Sequence, residues 1–200
     1  HGHVFYGYFG PGATKAFIAA ERFAARFTGR IVTLTAAGRD DHLHFRIGNP
    51  DIYRIIPSGI DTGRFEHADG SGIRKEFGCE EAKIVGWAGR LEPVKDCATF
   101  LRAMARVLAE KPDVRVLVAG DGGERGDLDD LAVKLGISDR VRFMGNRDDI
   151  PAVFAAFDVF VLSSVNEGFG RVIVEAMASG VPVVSTSVGG TTEVIDDGVT

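Results

Sequence analysis

The chain has 200 residues, of which 45% are hydrophobic and 26% charged, the balance of a globular protein with enough apolar mass to bury a sizeable core. A net charge of −5 argues against nucleic acid as the main partner, because a phosphate-binding surface needs an excess of lysine and arginine, and no apolar run approaches the roughly 18–20 residues of a membrane span. The two cysteines, Cys79 and Cys97, lie far apart in no metal-ligand spacing, so they fit a reducing compartment and supply neither a disulfide framework nor a zinc site.

From Ala13 to about Thr28 the pattern is helical, with Phe17, Ala20, Ala24 and Phe27 on one face and Lys15, Arg22 and Arg26 on the other. A strand-like IVTLT (31–35) follows, then a polar segment to about Ile47, then DIYRII (51–56). The stretch PSGIDTGRFEHADGSGIRKEFG (57–78) is charged and glycine-rich without a sustained period. It reads as a linker with a domain boundary inside it.

Beyond the linker the rhythm is regular. Short apolar strands stand at KIVGWAG (83–89), VRVLVAG (114–120), VRFMG (141–145), DVFVLSS (158–164) and PVVST (182–186). Helical patterns at 96–111, 126–136, 150–157 and 170–180 separate most of them, the first opened by Asp96 as a cap and stopped by Pro112. Alternation of near-continuous apolar strands with helices predicts a parallel sheet covered on both faces, a doubly wound α/β domain over 79–200.

In such folds ligands sit outside the carboxyl ends of the strands. In GRLEPVKD (89–96), Arg90 ends a strand and Lys95 stands at a helix mouth, where a guanidinium and an ammonium beside unpaired backbone N–H groups suit phosphate; two ordinary surface cations are the plain alternative. GDGGERG (120–126) has Arg125 where a dinucleotide fingerprint needs its third glycine, so a tight strand–helix turn is the better reading. In MGNRDD (144–149), Asn146 and Arg147 either border a ligand or belong to a polar loop in which Asp148 or Asp149 caps the next helix.

The fourth loop is EGFGRVIVEAMASG (167–180). Gly168 and Gly170 flank Phe169 and let a ligand approach bare backbone. On a helical wheel Val172, Ile173, Ala176 and Met177 form the buried face, and Glu175 projects away from them on the side of Arg171. Carboxylates at Glu167 and Glu175 accept hydrogen bonds only, which suits sugar or ribose hydroxyls. The alternative is an exposed Arg171–Glu175 pair and a helix-dipole role for Glu167. The pairs His1-x-His3 and His42-x-His44 lack a carboxylate or cysteine partner at helical spacing, and there is no G-x-S-x-G elbow and no H-E-x-x-H.

Taken together, GRLEPVKD, VRFMGN, the E-x7-E stretch EGFGRVIVE with AMASGVPVVST, and VIDDGVT closely resemble the family 4 retaining glycosyltransferases of the two-Rossmann-domain (GT-B) architecture. HGHVFYGYFG, the helix containing Glu21-Arg22, IVTLT and IIPSGID look like the end of that family's first lobe and its hinge, so the resemblance covers essentially the whole chain in order. It implies that Arg90 and Lys95 hold a donor diphosphate, that Glu175 binds the ribose hydroxyls, and that Glu167 orients the transferred sugar with Gly168, Phe169 and Gly170 presenting backbone. It implies that the base rests at Gly145, Asn146 and Arg147, and that His1 reaches the donor from the first lobe. Ser58 stands where asparagine is common, and Arg171 where an apolar residue is common; neither is a proposed ligand.

The expectation is therefore a retaining glycosyltransferase that uses a UDP-, GDP- or ADP-linked sugar and requires no metal or other cofactor, with an acceptor that is a glycan, a lipid carrier or a small metabolite. Residues 1–56 are expected to be the tail of the acceptor-side lobe, 57–78 the hinge, and 79–200 an incomplete donor-binding lobe. Such a piece is expected to be inactive by itself, with 1–56 its less stable part. No nucleic-acid partner and no transmembrane segment are expected, and the location is cytoplasmic, with peripheral docking at the inner membrane face left open. Two other readings share the features: a nucleotide-sugar epimerase of the same architecture, against which the E-x7-E stretch argues, and a non-catalytic nucleotide-sugar-binding module.

Overall fold

The computed structural model describes residues 9–198. The chain divides into two compact units: one takes the residues up to Gly59 together with Val165–Gly170 and the segment from Ser187, and the other takes Ile60–Ser164 and Arg171–Thr186.

The second unit is built on five parallel strands: β3 (Lys83–Ala88), β4 (Val114–Ala119), β5 (Val141–Gly145), β6 (Val159–Leu162) and β7 (Val183–Ser185). Their spatial order is β5-β4-β3-β6-β7, so the chain winds outward from β3 in one direction and then returns to lay β6 against the other side of β3. This is the doubly wound α/β sheet that the alternating pattern predicts, and its topological switch point lies between β3 and β6.

The two faces of the sheet have different covers. On one, Trp87, Val116 and Val118 meet Phe100, Leu101, Met104 and Leu108 of α5 (Cys97–Glu110) and Leu128 and Ala132 of α6 (Arg125–Lys134). On the other, Phe154 of α7 (Ile150–Ala155) packs edge-on against Phe157 and Phe160, with ring centroids 5.9 and 5.3 Å apart. Gly86 of β3 makes room for this cluster, since a Cβ there would lie 2.1 Å from the Phe157 ring. Helix α8 (Arg171–Ala178) connects β6 to β7.

The stretch 57–78, expected as a linker, holds two short helices, α3 (Gly63–Glu66) and α4 (Ser71–Glu76). Each buries one apolar side chain, Phe65 and Ile73, and both helices pack on α7. One buried residue per helix generates no period, which is why the pattern escapes a sequence scan. Gly70 lets this segment lie against the α7 backbone; a Cβ would sit 2.3 Å from the Ala156 nitrogen. Asp158 ties α4 to the start of β3, its carboxylate accepting from Arg74 Nη2 (2.8 Å), Lys83 Nζ (3.1 Å) and the Ile84 N–H (2.8 Å).

The first unit contains α1 (Pro11–Ala24), α2 (Ala36–His44) and a parallel pair, β1 (Ile31–Thr33) and β2 (Tyr53–Ile55). Helix α1 is shorter than its apolar pattern, and none of its residues is buried: Phe17 is 42% exposed, and Phe27 beyond its end is 77% exposed. Helix α2 occupies the segment expected to be merely polar. It buries no residue and so shows no apolar stripe; its start is marked by Thr35, whose hydroxyl accepts from the Gly38 N–H at 3.1 Å. Among the described residues no helix is long and apolar enough to cross a membrane.

Candidate functional site

At the carboxyl edge of the five-stranded sheet, the loops after β3 and β4 are laced together through backbone. The Gly89 N–H donates to Ala119 (3.0 Å), the Leu91 N–H to Asp121 (2.9 Å), and the Glu124 N–H to Leu91 (3.1 Å). The glycines of GDGGERG permit this. Gly120 has φ 122°, and a Cβ on it would lie 1.9 Å from the Gly89 carbonyl oxygen; one on Gly122 would lie 2.4 Å from that of Leu91. Close backbone approach, rather than a dinucleotide fingerprint, explains these glycines. With Leu91 and Val94 buried, the loop is pinned from below. Arg90 stands exposed beside Glu92, to which its Nη1 donates at 2.8 Å, and Lys95 is half-buried. An exposed pair of this kind is worth about 0–1 kcal/mol, so Arg90 can exchange Glu92 for a more highly charged anion.

Lys95 closes a 3-10 turn (Pro93–Lys95), and Asp96 after it adopts the left-handed conformation (φ 46°, ψ 50°) while its carboxylate accepts from the Thr99 N–H at 3.0 Å to cap α5. Such a backbone costs on the order of 1–3 kcal/mol and persists only where its surroundings fix it. The fixing group is Ser163, directly after β6. Its hydroxyl donates to the Asp96 carbonyl at 2.8 Å, with the Lys95 carbonyl 3.3 Å away, and accepts the indole N–H of buried Trp87 at 3.2 Å. The bonds therefore run across the switch point, from β3 through β6 to the turn that carries Lys95. Neither Trp87 nor Ser163 stands out as a site residue in the sequence. The available signal is a tryptophan inside the apolar run IVGWA, whose buried N–H must find an acceptor. Cys97, at the head of α5, is a buried thiol pushed up to about 12 by burial, with Glu124 and Asp96 adding to the effect.

Glu175 differs from its helical-wheel placement. It is buried, 9% exposed, like Ile173 and Ala176, rather than standing apart from the buried face. Arg171 Nη2 donates to Glu175 Oε1 at 3.1 Å, so the i,i+4 pair forms, but it joins an arginine side chain that is 57% exposed to a carboxylate that is 12% exposed. A carboxylate taken this far from water needs bonds to both oxygens.

The loop after β5 also has defined partners. Gly145 has φ 69°, and its carbonyl accepts from the Gly120 N–H at 2.8 Å; Asn146 is exposed. Arg147 forks onto Glu76 at 2.8 and 3.1 Å and onto Asp149 at 2.9 and 2.7 Å. The hydrogen bonds that Arg147 donates to Asp149 and then to Glu76 raise its pKa, and the bond to Asp149 holds that carboxyl below the ordinary aspartate value. The Arg147 guanidinium is therefore a strut between α4 and the β5–α7 loop. Asp149 precedes α7 but does not cap it through its side chain, because its oxygens are engaged by Arg147.

Arg90, Lys95, Gly145–Arg147 and Glu175 thus belong to the second unit, whereas Glu167, Gly168, Phe169 and Gly170 belong to the first. Gly170 is buried with φ 73°, a conformation that favours glycine. His1 and His3 lie outside the described residues. Among the described residues, no three His, Cys, Asp or Glu side chains converge as metal ligands would.

Residues 82–200 match the family model described as "Glycosyl transferases group 1". The D-inositol 3-phosphate glycosyltransferase of Stackebrandtia nassauensis is 36% identical over 180 residues, which are 84% of this chain and 41% of that protein; the protein of the same name from Streptomyces scabiei is 34% identical over 196 residues, 92% of this chain and 44% of that protein. The chain therefore spans less than half the length of the curated relatives it matches. Among solved structures, Anabaena HepE in complex with UDP-glucose superposes with a TM-score of 0.88 at 30% identity, covering 98% of this chain and 55% of that one. A sheet with this topology, the motifs at its carboxyl edge and these matches agree: the chain belongs to the glycosyl transferases group 1 family and carries the GT-B type of fold.

Proposed function

We propose that the chain binds a nucleotide-sugar donor, UDP-glucose or a close relative, as the donor-side part of a retaining glycosyltransferase. The observation that carries this reading is the turn bearing Lys95, held rigidly at the β3–β6 switch point by Ser163 and Trp87, in a chain 30% identical to a HepE structure that contains UDP-glucose. Ligands of doubly wound sheets bind at that place.

Arg90 and Lys95 supply the positive charge that a diphosphate requires, one as a planar fork and the other as a mobile point charge. Charge grows on the nucleotide as the glycosidic bond breaks, and these cations stabilise it, Lys95 from a turn whose main chain is already fixed and Arg90 by exchanging Glu92 for the phosphate. Glu175 accepts the ribose hydroxyls. Its Oε1 accepts from Arg171, and the second carboxylate oxygen is the one assigned here to the ribose. Glu167 orients the transferred sugar, and the 145–147 loop receives the base on main chain, with the Arg147 side chain reserved for its strut. No step in this scheme requires a metal ion from the protein.

Calorimetric titration with UDP-glucose tests the reading. One saturable site is expected, weakened at least about tenfold in Glu175→Ala, the loss of one or two hydrogen bonds to a charged acceptor. Equal affinity in the variant, or no heat with UDP-, GDP- or ADP-glucose, contradicts it.

A further inference from the structure

The carbonyls of Glu167 and Gly168 are each held from elsewhere in the first unit. The Gly190 N–H donates to the Glu167 carbonyl at 3.0 Å, and the Thr35 hydroxyl donates to the Gly168 carbonyl at 3.1 Å. Thr35 is 2% exposed and caps α2. Gly190 lies in a 3-10 turn, Gly189–Glu193, whose last residue returns to the same helix: Glu193 Oε2 accepts from the Ala36 N–H at 2.9 Å, and Oε1 from the Ala37 N–H at 2.7 Å. The bonds close a ring. It runs from the α2 N-terminus through Glu193 and the 3-10 turn to Gly190, on to the main chain of Glu167–Gly168, and back through Thr35 to α2.

Each member of the ring has a chemical reason. A carboxylate at a helix N-terminus meets two unpaired N–H groups and the positive end of the helix dipole, so both oxygens of Glu193 are satisfied by charge-assisted bonds. The turn must pass within bonding distance of another backbone, and only glycine permits that. A Cβ on Gly189 would lie 2.0 Å from the Glu167 carbonyl oxygen, and one on Gly190 would lie 2.3 Å from that of Gly168 and 2.5 Å from Thr35 Cγ2. The Thr35 hydroxyl donates its one proton to the Gly168 carbonyl and accepts from the Gly38 N–H, so its single donor is committed to the ring.

We infer that Glu193 and Thr35 are positioning residues for Glu167: the ring fixes the peptide from which that carboxylate projects, and so sets how well the sugar, as distinct from the nucleotide, is recognised. This deepens the donor-binding reading and rests on it. Binding constellations lose function through displacements as small as about 1 Å, so a root held on both carbonyls is the kind of support a sugar-orienting carboxylate needs.

Two measurements on Glu193→Ala, and on Gly190→Ala as an independent way of forcing the ring apart, test the inference. In hydrogen exchange without ligand, the amides of Ala36, Ala37, Gly190 and residues 165–170 should exchange about tenfold faster than in the unaltered chain, while strands β3 and β4 are unchanged. Unchanged exchange at 165–170 overturns the ring. In titrations with UDP and with UDP-glucose, the advantage of UDP-glucose over UDP should fall towards one while the affinity for UDP itself stays within about twofold, and Glu193→Gln, which keeps one acceptor oxygen, should recover part of that advantage. A parallel loss of both affinities marks a merely structural role and overturns the positioning claim, as does an unchanged ratio. An unaltered chain with no affinity for UDP overturns the donor reading and the positioning role with it, while the exchange measurement still decides whether the ring exists.

Discussion

The indole N–H of Trp87 donates to the hydroxyl of Ser163 at 3.2 Å, and that hydroxyl in turn donates to the main-chain carbonyl of Asp96 at 2.8 Å. Two neighbouring strands and the turn that carries Lys95 are thereby joined by one oxygen atom. Replacing Ser163 with alanine leaves a fully buried indole N–H and a carbonyl in a left-handed turn without their partner. A loss of about 1–3 kcal/mol is expected by chemical denaturation, together with weaker UDP binding through a loosened Lys95. Ser163→Thr, which retains the hydroxyl, should recover most of the binding. If Ser163→Ala leaves both stability and UDP affinity unchanged, the hydroxyl does not fix the turn.

Asp158 gives the second unit an acid-sensitive clamp. Burial pushes its carboxyl up, but the Ile84 N–H, Arg74 and Lys83 outweigh burial and hold it below the ordinary aspartate value. A carboxyl depressed in the folded state binds fewer protons there than in the unfolded chain. Its stabilisation is therefore complete above the unfolded value of about 4 and is lost as pH falls through the lower folded value. Asp158→Ala should cost about 1–3 kcal/mol at pH 7, and the gap to the unaltered chain should close progressively below about pH 4 in urea melts. A gap that is constant down to pH 2 would show that the ionised carboxylate is not the stabilising species.

Both cysteines should resist alkylation in the folded chain. Burial raises the Cys79 pKa and pushes Cys97 up to about 12, and the thiolate is the reactive form. Iodoacetamide at pH 8 should label neither residue by mass spectrometry until denaturant is added, after which both should react. Rapid labelling of Cys97 under native conditions would mean that the head of α5 opens.

Arg147 should behave as a strut. Arg147→Ala leaves the Glu76 and Asp149 carboxylates without their shared cation; both are nearly half exposed, so a loss of only about 0.5–1 kcal/mol is expected in thermal or urea melts. UDP affinity should fall less than in Lys95→Ala. A larger loss of UDP affinity from Arg147→Ala than from Lys95→Ala would return Arg147 to the ligand.

What could be read from the sequence follows the length scale of each signal. Strands β3 to β6 and helix α5 show sustained apolar runs or stripes, so the doubly wound sheet and the loops at its carboxyl edge were legible. Helices α3 and α4 rest on one buried residue each, and α2 on a single capping threonine, too little for a period. The helical wheel placed Glu175 outside because it assigns sides by apolarity alone; the structure buries it with its salt-bridge partner Arg171 on the solvent side. Ser163 and Glu193 were illegible for a different reason. Their partners, Trp87 for the one and Ala36 and Ala37 for the other, are 76, 157 and 156 positions away in the chain, and no local pattern encodes such a bond.

A nucleotide that binds where Ser163 pins the Lys95 turn must leave its mark on that turn. Hydrogen exchange with and without saturating UDP tests it most directly. Exchange should slow in peptides covering 89–97 and 171–176, with Lys95→Ala abolishing the effect in both. Bound ligand also stabilises the whole unit, by about 2.7 kcal/mol at 100 times its Kd, so the local protection must exceed that seen in β4. Protection confined to other segments, or none in a folded chain at millimolar UDP, would contradict it.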